Sequence, residues 1–207
     1  MRELGFGLRI HWANTSDSDS SDLSLLDGIE KDRRNAYLRE EDRRRFTLGV
    51  VWTKRLVAER AGLSPGEIAL DRTCEDCGRP HGRPRYPGVH ISVTHSGALA
   101  GVAVADVPIG IDVEQRDRPL TEVASHLVAP GERYDDLHIL WTRKEALLKA
   151  TGDGLRVPMT DLLVSGPGEP PALLGWKDRP DLPSRILLDD LEPAPAYAGA
   201  VALIRPA

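Results

Sequence analysis

Cysteine, methionine and phenylalanine are all scarce in this sequence, with two of each in 207 residues. Two cysteines as close as Cys74 and Cys77 cannot build the disulfide framework of a small extracellular domain, which points to a reducing compartment. No apolar run approaches the roughly 20 residues of a membrane-spanning helix. Met1 to Trp12 also lacks the basic and apolar blocks of a secretory leader, so the expectation is a soluble, cytoplasmic protein without a membrane partner. Positive charge is not in excess either. A net charge of -5 argues against a general nucleic-acid binder.

What is present is a globular composition. The 41% apolar and 29% charged residues can bury a core in one large domain or in two of about 100 residues. The cations are unevenly spread: Lys31, Arg33, Arg34, Arg39, Arg43, Arg44 and Arg45 fall within fifteen residues, a local supply of charge for phosphates. Leu4 to Trp12 alternates loosely, as a strand does, and the Ser/Asp run from Asn14 to Asp22 reads as a mobile surface loop. Helical patterns run from Leu23 to about Leu38 and from Glu41 to Gly62, where glycine is a natural stop. Thr73 to Pro87 is dense in Gly, Pro, Arg and Cys and should be a loop leading to a strand at His90 to Val93, with a reversal at Thr94 to Gly97.

Leu99 to Ala105 and Ile109 to Val113 look like consecutive strands separated by Asp106, Val107 and Pro108. A helix from about Thr121 to Leu127 is followed by a stronger one from about Asp135 to Ala150, closed by Gly152 and Gly154. Strands at Leu162 to Val164, Ala172 to Gly175, Ile186 to Leu188 and Ala198 to Ile204 complete the chain. Each half mixes helices with a small sheet, an α+β pattern with its boundary near residues 106 to 108. That gives an N-terminal half of 1–107 and a C-terminal half of 108–207, with no internal sequence repeat.

Two short motifs concentrate chemistry. In Gly110-Ile111-Asp112-Val113-Glu114, a strand puts Asp112 and Glu114 on one face. Taken alone they could simply be solvated carboxylates. In Trp141-Thr142-Arg143-Lys144-Glu145-Ala146-Leu147-Leu148-Lys149, Glu145 and Lys149 share a helical face. Alone they could be a surface ion pair worth about 0.2–0.5 kcal/mol. Trp141 should anchor this helix in the core.

The two motifs occur in this order with Gly152-Asp153-Gly154-Leu155 directly after. They are preceded by Gly82-Arg83-Pro84 and by Thr94-His95-Ser96. In these four blocks the sequence resembles the surfactin-type class of 4'-phosphopantetheinyl transferases over roughly residues 30 to 165. The resemblance implies a fold of two similar α+β halves related by a pseudo-twofold, with coenzyme A in the cleft between them, and a monomer. It implies Asp112, Glu114 and Glu145 as ligands of Mg2+; a carboxylate beside that metal could also accept the proton of the attacking serine, directly or through water, and the sequence does not separate these two roles of Glu145. Lys149 would be a catalytic charge against the pyrophosphate. Thr94, His95, Arg83, Arg45 and, on charge alone, Arg33 would be coenzyme phosphate contacts. The protein partner implied is an acyl or peptidyl carrier protein. Phe46 departs from the polar residue of some relatives, which leaves open whether it or Thr47 faces the coenzyme.

Three functions compete at this point. A transferase would move the phosphopantetheine arm to a carrier serine. A metal-dependent phosphohydrolase could use the same carboxylates on water, and a coenzyme-binding module would not turn over. Cys74-x-x-Cys77, followed by His81 and His90, reads either as a loop with two free thiols or as a zinc knuckle lacking its second ligand pair.

Overall fold

The computed structural model describes residues 4–133 and 135–206, and of residue 155 the backbone. The chain divides into two compact units, Gly7–Asp106 and, together with the residues ahead of Gly7, Val107–Ala207.

In the first unit, strand β1 (Arg9–Asn14) is followed by helices α1 (Gly28–Ala36) and α2 (Glu40–Ala61) and by the hairpin β2 (His90–Ser96) and β3 (Leu99–Ala105). The sheet order is β1-β3-β2, antiparallel throughout. Leu56 and Val57 of α2 pack with Ile91, Val102 and Val104 of the hairpin. α2 stops at Gly62, whose φ of 68° is a left-handed value that glycine adopts without a Cβ penalty.

The Ser/Asp run is more ordered than the mobile loop expected of it. It forms two 3-10 turns, Thr15–Asp17 and Ser20–Leu25, each closed by a reciprocal capping box, Asn14 with Asp17 and Asp19 with Asp22. Short polar side chains spaced three apart satisfy the backbone donors that water would otherwise take. Asp22 is buried and pairs with Arg55 at 3.1 Å.

The second unit begins with β4 (Ile109–Gln115) and continues through α3 (Ala124–Leu127) and α4 (Leu137–Thr151). The hairpin-like pair β5 (Leu162–Val164) and β6 (Leu173–Trp176) comes next. α5 (Leu182–Arg185), β7 (Ile186–Leu191) and β8 (Tyr197–Ile204) end the chain. Its main sheet has the order β4-β8-β7. β3 and β4 therefore belong to different sheets, although they look consecutive in sequence. Both units use one connectivity: a strand, a long helix, then a hairpin whose second strand takes the central position. The fold is α+β, and the duplication is visible in topology while absent from the residues.

α4 is the structural centre of the second unit. Its N-terminus is capped by Asp136, which accepts from the backbone of His138 and Ile139. Leu140, Leu147 and Leu148 are fully buried, with Trp141 partly buried against the same cluster. Two cations of the motif are buried as well. Arg143 forms a fork with Asp190 (2.8 and 2.7 Å) and donates to the carbonyls of Ser165, Gly166 and Glu169. Lys144 holds Glu132 at 2.6 Å and donates to the carbonyls of Leu127 and Met159. Among the described residues no helix is long and apolar enough to cross a membrane.

Candidate active site

A close approach of α4 to its sheet is made possible by Gly110. A Cβ there would collide with the Ala146 carbonyl and the Ala150 amide of the helix backbone. Alternation along β4 then places Asp112 and Glu114 on the same side as Gly110, the side that meets the helix. Both are buried, at 5% and 8% exposure, so they are not solvated surface carboxylates. Lys149 confirms the geometry: its Nζ donates to Asp112 Oδ1 at 2.6 Å and to the Ile111 carbonyl at 3.1 Å. Glu114 also has Arg118 at 3.6 Å.

Glu145 stands one helical turn before Lys149 and is half-buried. Burial pushes its pKa up; the positive charge of Lys149 opposes this, and the negative charges of Asp112 and Glu114 push further in the same direction. All four groups named by the two motifs are therefore in electrostatic range of one another. The cluster carries three carboxylates against one ammonium.

The raised pKa has a consequence for stability. Because the folded chain holds the Glu145 proton more tightly than the unfolded one, this group's contribution is fully present below the unfolded carboxylate range. It is lost as pH rises through the raised folded pKa. Glu145→Gln is neutral at every pH and escapes that loss. Its melting temperature without divalent metal should exceed that of the parent at pH 7.5, with the gap narrowing at pH values below about 4, under the ordinary glutamate pKa. A gap of the same size at both pH values would contradict the electrostatic account.

The Asp153 that follows α4 has a structural task. It forms a two-toothed pair with Arg179 at 2.6 and 2.8 Å, and Arg179 lies over the Trp176 ring.

In the first unit the expected phosphate contacts fall into separate groups. Val93 faces α2, touching the position where Gly49 leaves room, so His95, two residues on, faces the same way. Arg45 of α2 reaches that end of β2, donating to the Gly97 carbonyl at 2.6 Å, while also pairing with Glu41 and Asp42. Thr94 is buried and points to the opposite face of the sheet from His95. Arg83 is exposed and donates to the Ile91 carbonyl at 3.1 Å.

The cationic run is less available than its composition suggests. Arg34, Arg43 and Arg44 surround Glu40, and Arg45 takes Glu41 and Asp42. Arg33 is different. Its guanidinium lies over Phe46 at 5.2 Å, and a second guanidinium, Arg72, lies 5.9 Å from the same ring. Arg33 Nη1 and Arg72 Nε are buried with no hydrogen-bond acceptor, a costly state that an anion relieves. Burial, and then the charge of Arg33, lower the Arg72 pKa.

Thr47 is buried and committed internally, accepting from Arg34 and donating to the Arg43 carbonyl. Of the two, Phe46 is the one that lies against the guanidiniums of Arg33 and Arg72. Arg72 was not singled out by sequence, because a lone arginine in a loop carries no periodicity or motif.

The family model described as the 4'-phosphopantetheinyl transferase superfamily matches residues 108–190. Three curated proteins of that description are similar to this chain. A 4'-phosphopantetheinyl transferase of Bacillus subtilis is 31% identical over 154 residues, covering 69% of this chain and 67% of the relative. 4'-Phosphopantetheinyl transferase psf-1 of Bacillus pumilus is 30% identical over 179 residues, covering 80% and 73%. The Sfp protein of Bacillus subtilis strain 168, with the same description, is 25% identical over 196 residues, covering 89% and 84%.

Proposed function

The chain belongs to the 4'-phosphopantetheinyl transferase superfamily, and on that premise we propose that it moves the phosphopantetheine arm of coenzyme A to a serine of an acyl or peptidyl carrier protein. The observation that carries the proposal is the convergence of Asp112, Glu114, Glu145 and Lys149 where α4 meets β4. A half-desolvated cluster of three carboxylates and one ammonium favours a hard cation, and an all-oxygen donor set suits magnesium. Asp112, Glu114 and Glu145 would hold that ion, which when bound supplies positive charge against the coenzyme's pyrophosphate.

The remaining steps belong to side chains of this protein. Lys149, fixed by Asp112 and the Ile111 carbonyl, would lie against the transferring phosphoryl group as a preorganised charge. Glu145, half-buried one helical turn before Lys149, would take the serine hydroxyl proton, directly or through water. The serine oxygen bonds to the β-phosphorus, the bond to the bridging oxygen breaks, and 3',5'-ADP leaves.

Arg33 and Arg72 around Phe46 are assigned to a coenzyme phosphate, with Arg45, Arg83, Thr94 and His95 as further contacts. The buried donors without acceptors support the first two. Arg72→Ala should weaken coenzyme A binding about tenfold or more, the value of a charged hydrogen bond of ~1.5–3 kcal/mol. If Arg72 reads the 3'-phosphate, calorimetry with dephospho-coenzyme A should show no such loss. Unchanged affinity for coenzyme A itself would remove Arg72 from the site. The family resemblance extends the proposal to a monomeric, cytoplasmic enzyme.

Transfer is tested by following 3',5'-ADP with and without an apo carrier. It should form only with the carrier serine present and in step with the holo carrier. Release at full rate from coenzyme A alone would mean a phosphohydrolase, and binding without product would mean a module.

A further inference from the structure

Residues 71 to 83 contain no Ala, Val, Leu, Ile, Met, Phe, Tyr or Trp, so no hydrophobic core holds this segment. Its backbone is nonetheless specific. Asp71 and Arg85 form an antiparallel bridge, with N–H to carbonyl distances of 3.0 and 2.8 Å. Inside it Gly82 donates to the Arg72 carbonyl at 2.7 Å, and a Cβ on Gly82 would stand 2.9 Å from the Thr73 carbonyl. Further in, Cys74 donates to the Arg79 carbonyl at 2.8 Å, and Gly78, at a φ of 71°, donates back to the Cys74 carbonyl at 2.9 Å.

This turn brings three soft ligands together. One ligand atom each from Cys74, Cys77 and His81 lies within 4.8 Å of the others. Cys77 Sγ and His81 Nε2 are 2.9 Å apart. Sulfurs at about 2.3 Å from a tetrahedral zinc lie roughly 3.8 Å apart, and a sulfur and an imidazole nitrogen roughly 3.5 Å. The adjustment needed is therefore small, and it can fall on Cys77 and His81, whose side chains are exposed. The amides of Cys77 and Asp76 also hydrogen-bond Cys74, as amides around metal-bound sulfur do. His90, the next histidine downstream, stands on β2 and near Arg83 instead.

We propose that Cys74, Cys77 and His81 bind one zinc ion, with water as fourth ligand, and that the ion fastens the 71–85 loop in place of a hydrophobic core. Two thiolates and an imidazole select zinc over the oxygen-seeking cations that suit the carboxylate cluster, so the two sites do not compete. The zinc ties together the stretch between Arg72 and Arg83, fixing the backbone from which both guanidiniums project.

The test uses the full chain, reduced and freed of metal, titrated with Co2+ and then Zn2+. One equivalent of Co2+ should give a thiolate charge-transfer band and tetrahedral visible bands, both abolished by one equivalent of Zn2+. Cys74→Ser and Cys77→Ser should lose the charge-transfer band or most of its intensity, and His81→Ala should weaken Co2+ binding at least tenfold. Hydrogen exchange at 72 to 83 should slow on Zn2+ addition in the parent and not in Cys77→Ser. Absence of a stoichiometric charge-transfer band in the parent would overturn the proposal, as would binding unchanged in all three variants. None of these readouts depends on transferase activity.

Discussion

Asp112→Asn is expected to lower carrier-serine modification on the order of 100- to 1000-fold, the usual effect of deleting one preorganised electrostatic group, with circular dichroism unchanged. Asparagine is chosen because Asp112 is only 5% exposed. Alanine would leave a gap between β4 and α4 and confuse lost chemistry with lost packing. The amide keeps the volume and removes the charge. Lys149, whose side chain is 28% exposed, can then turn toward water without being stranded. Coenzyme A affinity in excess magnesium should fall much less than turnover. Near-normal modification by this variant in limiting magnesium would remove Asp112 from the metal-binding set.

The second large effect concerns stability. Lys144 and Glu132 form an ion pair whose side chains are both 0% exposed. Glu132 also accepts from the amides of Ala129 (2.8 Å) and Val164 (2.9 Å), so it joins the loop after α3 to β5 as well as to α4. Lys144→Met fills most of the space but leaves the carboxylate without its counter-charge and two carbonyls without a donor. Removing one partner of a buried pair costs about 3–5 kcal/mol. Urea denaturation should show this as a lower midpoint at nearly constant slope. A loss under about 1 kcal/mol would show that the pair contributes little to fastening α4.

Why sequence reached some of these residues and not others follows from the kind of signal each leaves. Asp112 and Glu114 were legible because a strand's two-residue period sets their face, and Glu145 and Lys149 because a helix sets theirs. The Gly110 contact was not: a glycine in a strand does not say which backbone approaches it. Arg143 and Lys144 look like surface cations in a helix, and their burial depends on Asp190 and Glu132, partners 47 and 12 residues away.

Local patterning had more to give in one place. The spacing of Asn14 with Asp17 and of Asp19 with Asp22 is a capping pattern, although the composition of that run suggests only a loop. Arg72 left no local signal at all, since its meaning comes from Phe46 and Arg33 on other elements. The shared topology of the two units lies in strand order, which no residue-level repeat records.

The most direct measurement of the central claim is the intact mass of an apo carrier protein after incubation with this protein, coenzyme A and magnesium. The account predicts a gain of one phosphopantetheine on the carrier serine, none on a Ser→Ala carrier, and a large loss of rate with Asp112→Asn. A carrier of unchanged mass, across carriers from fatty-acid, polyketide and nonribosomal-peptide systems, would contradict it.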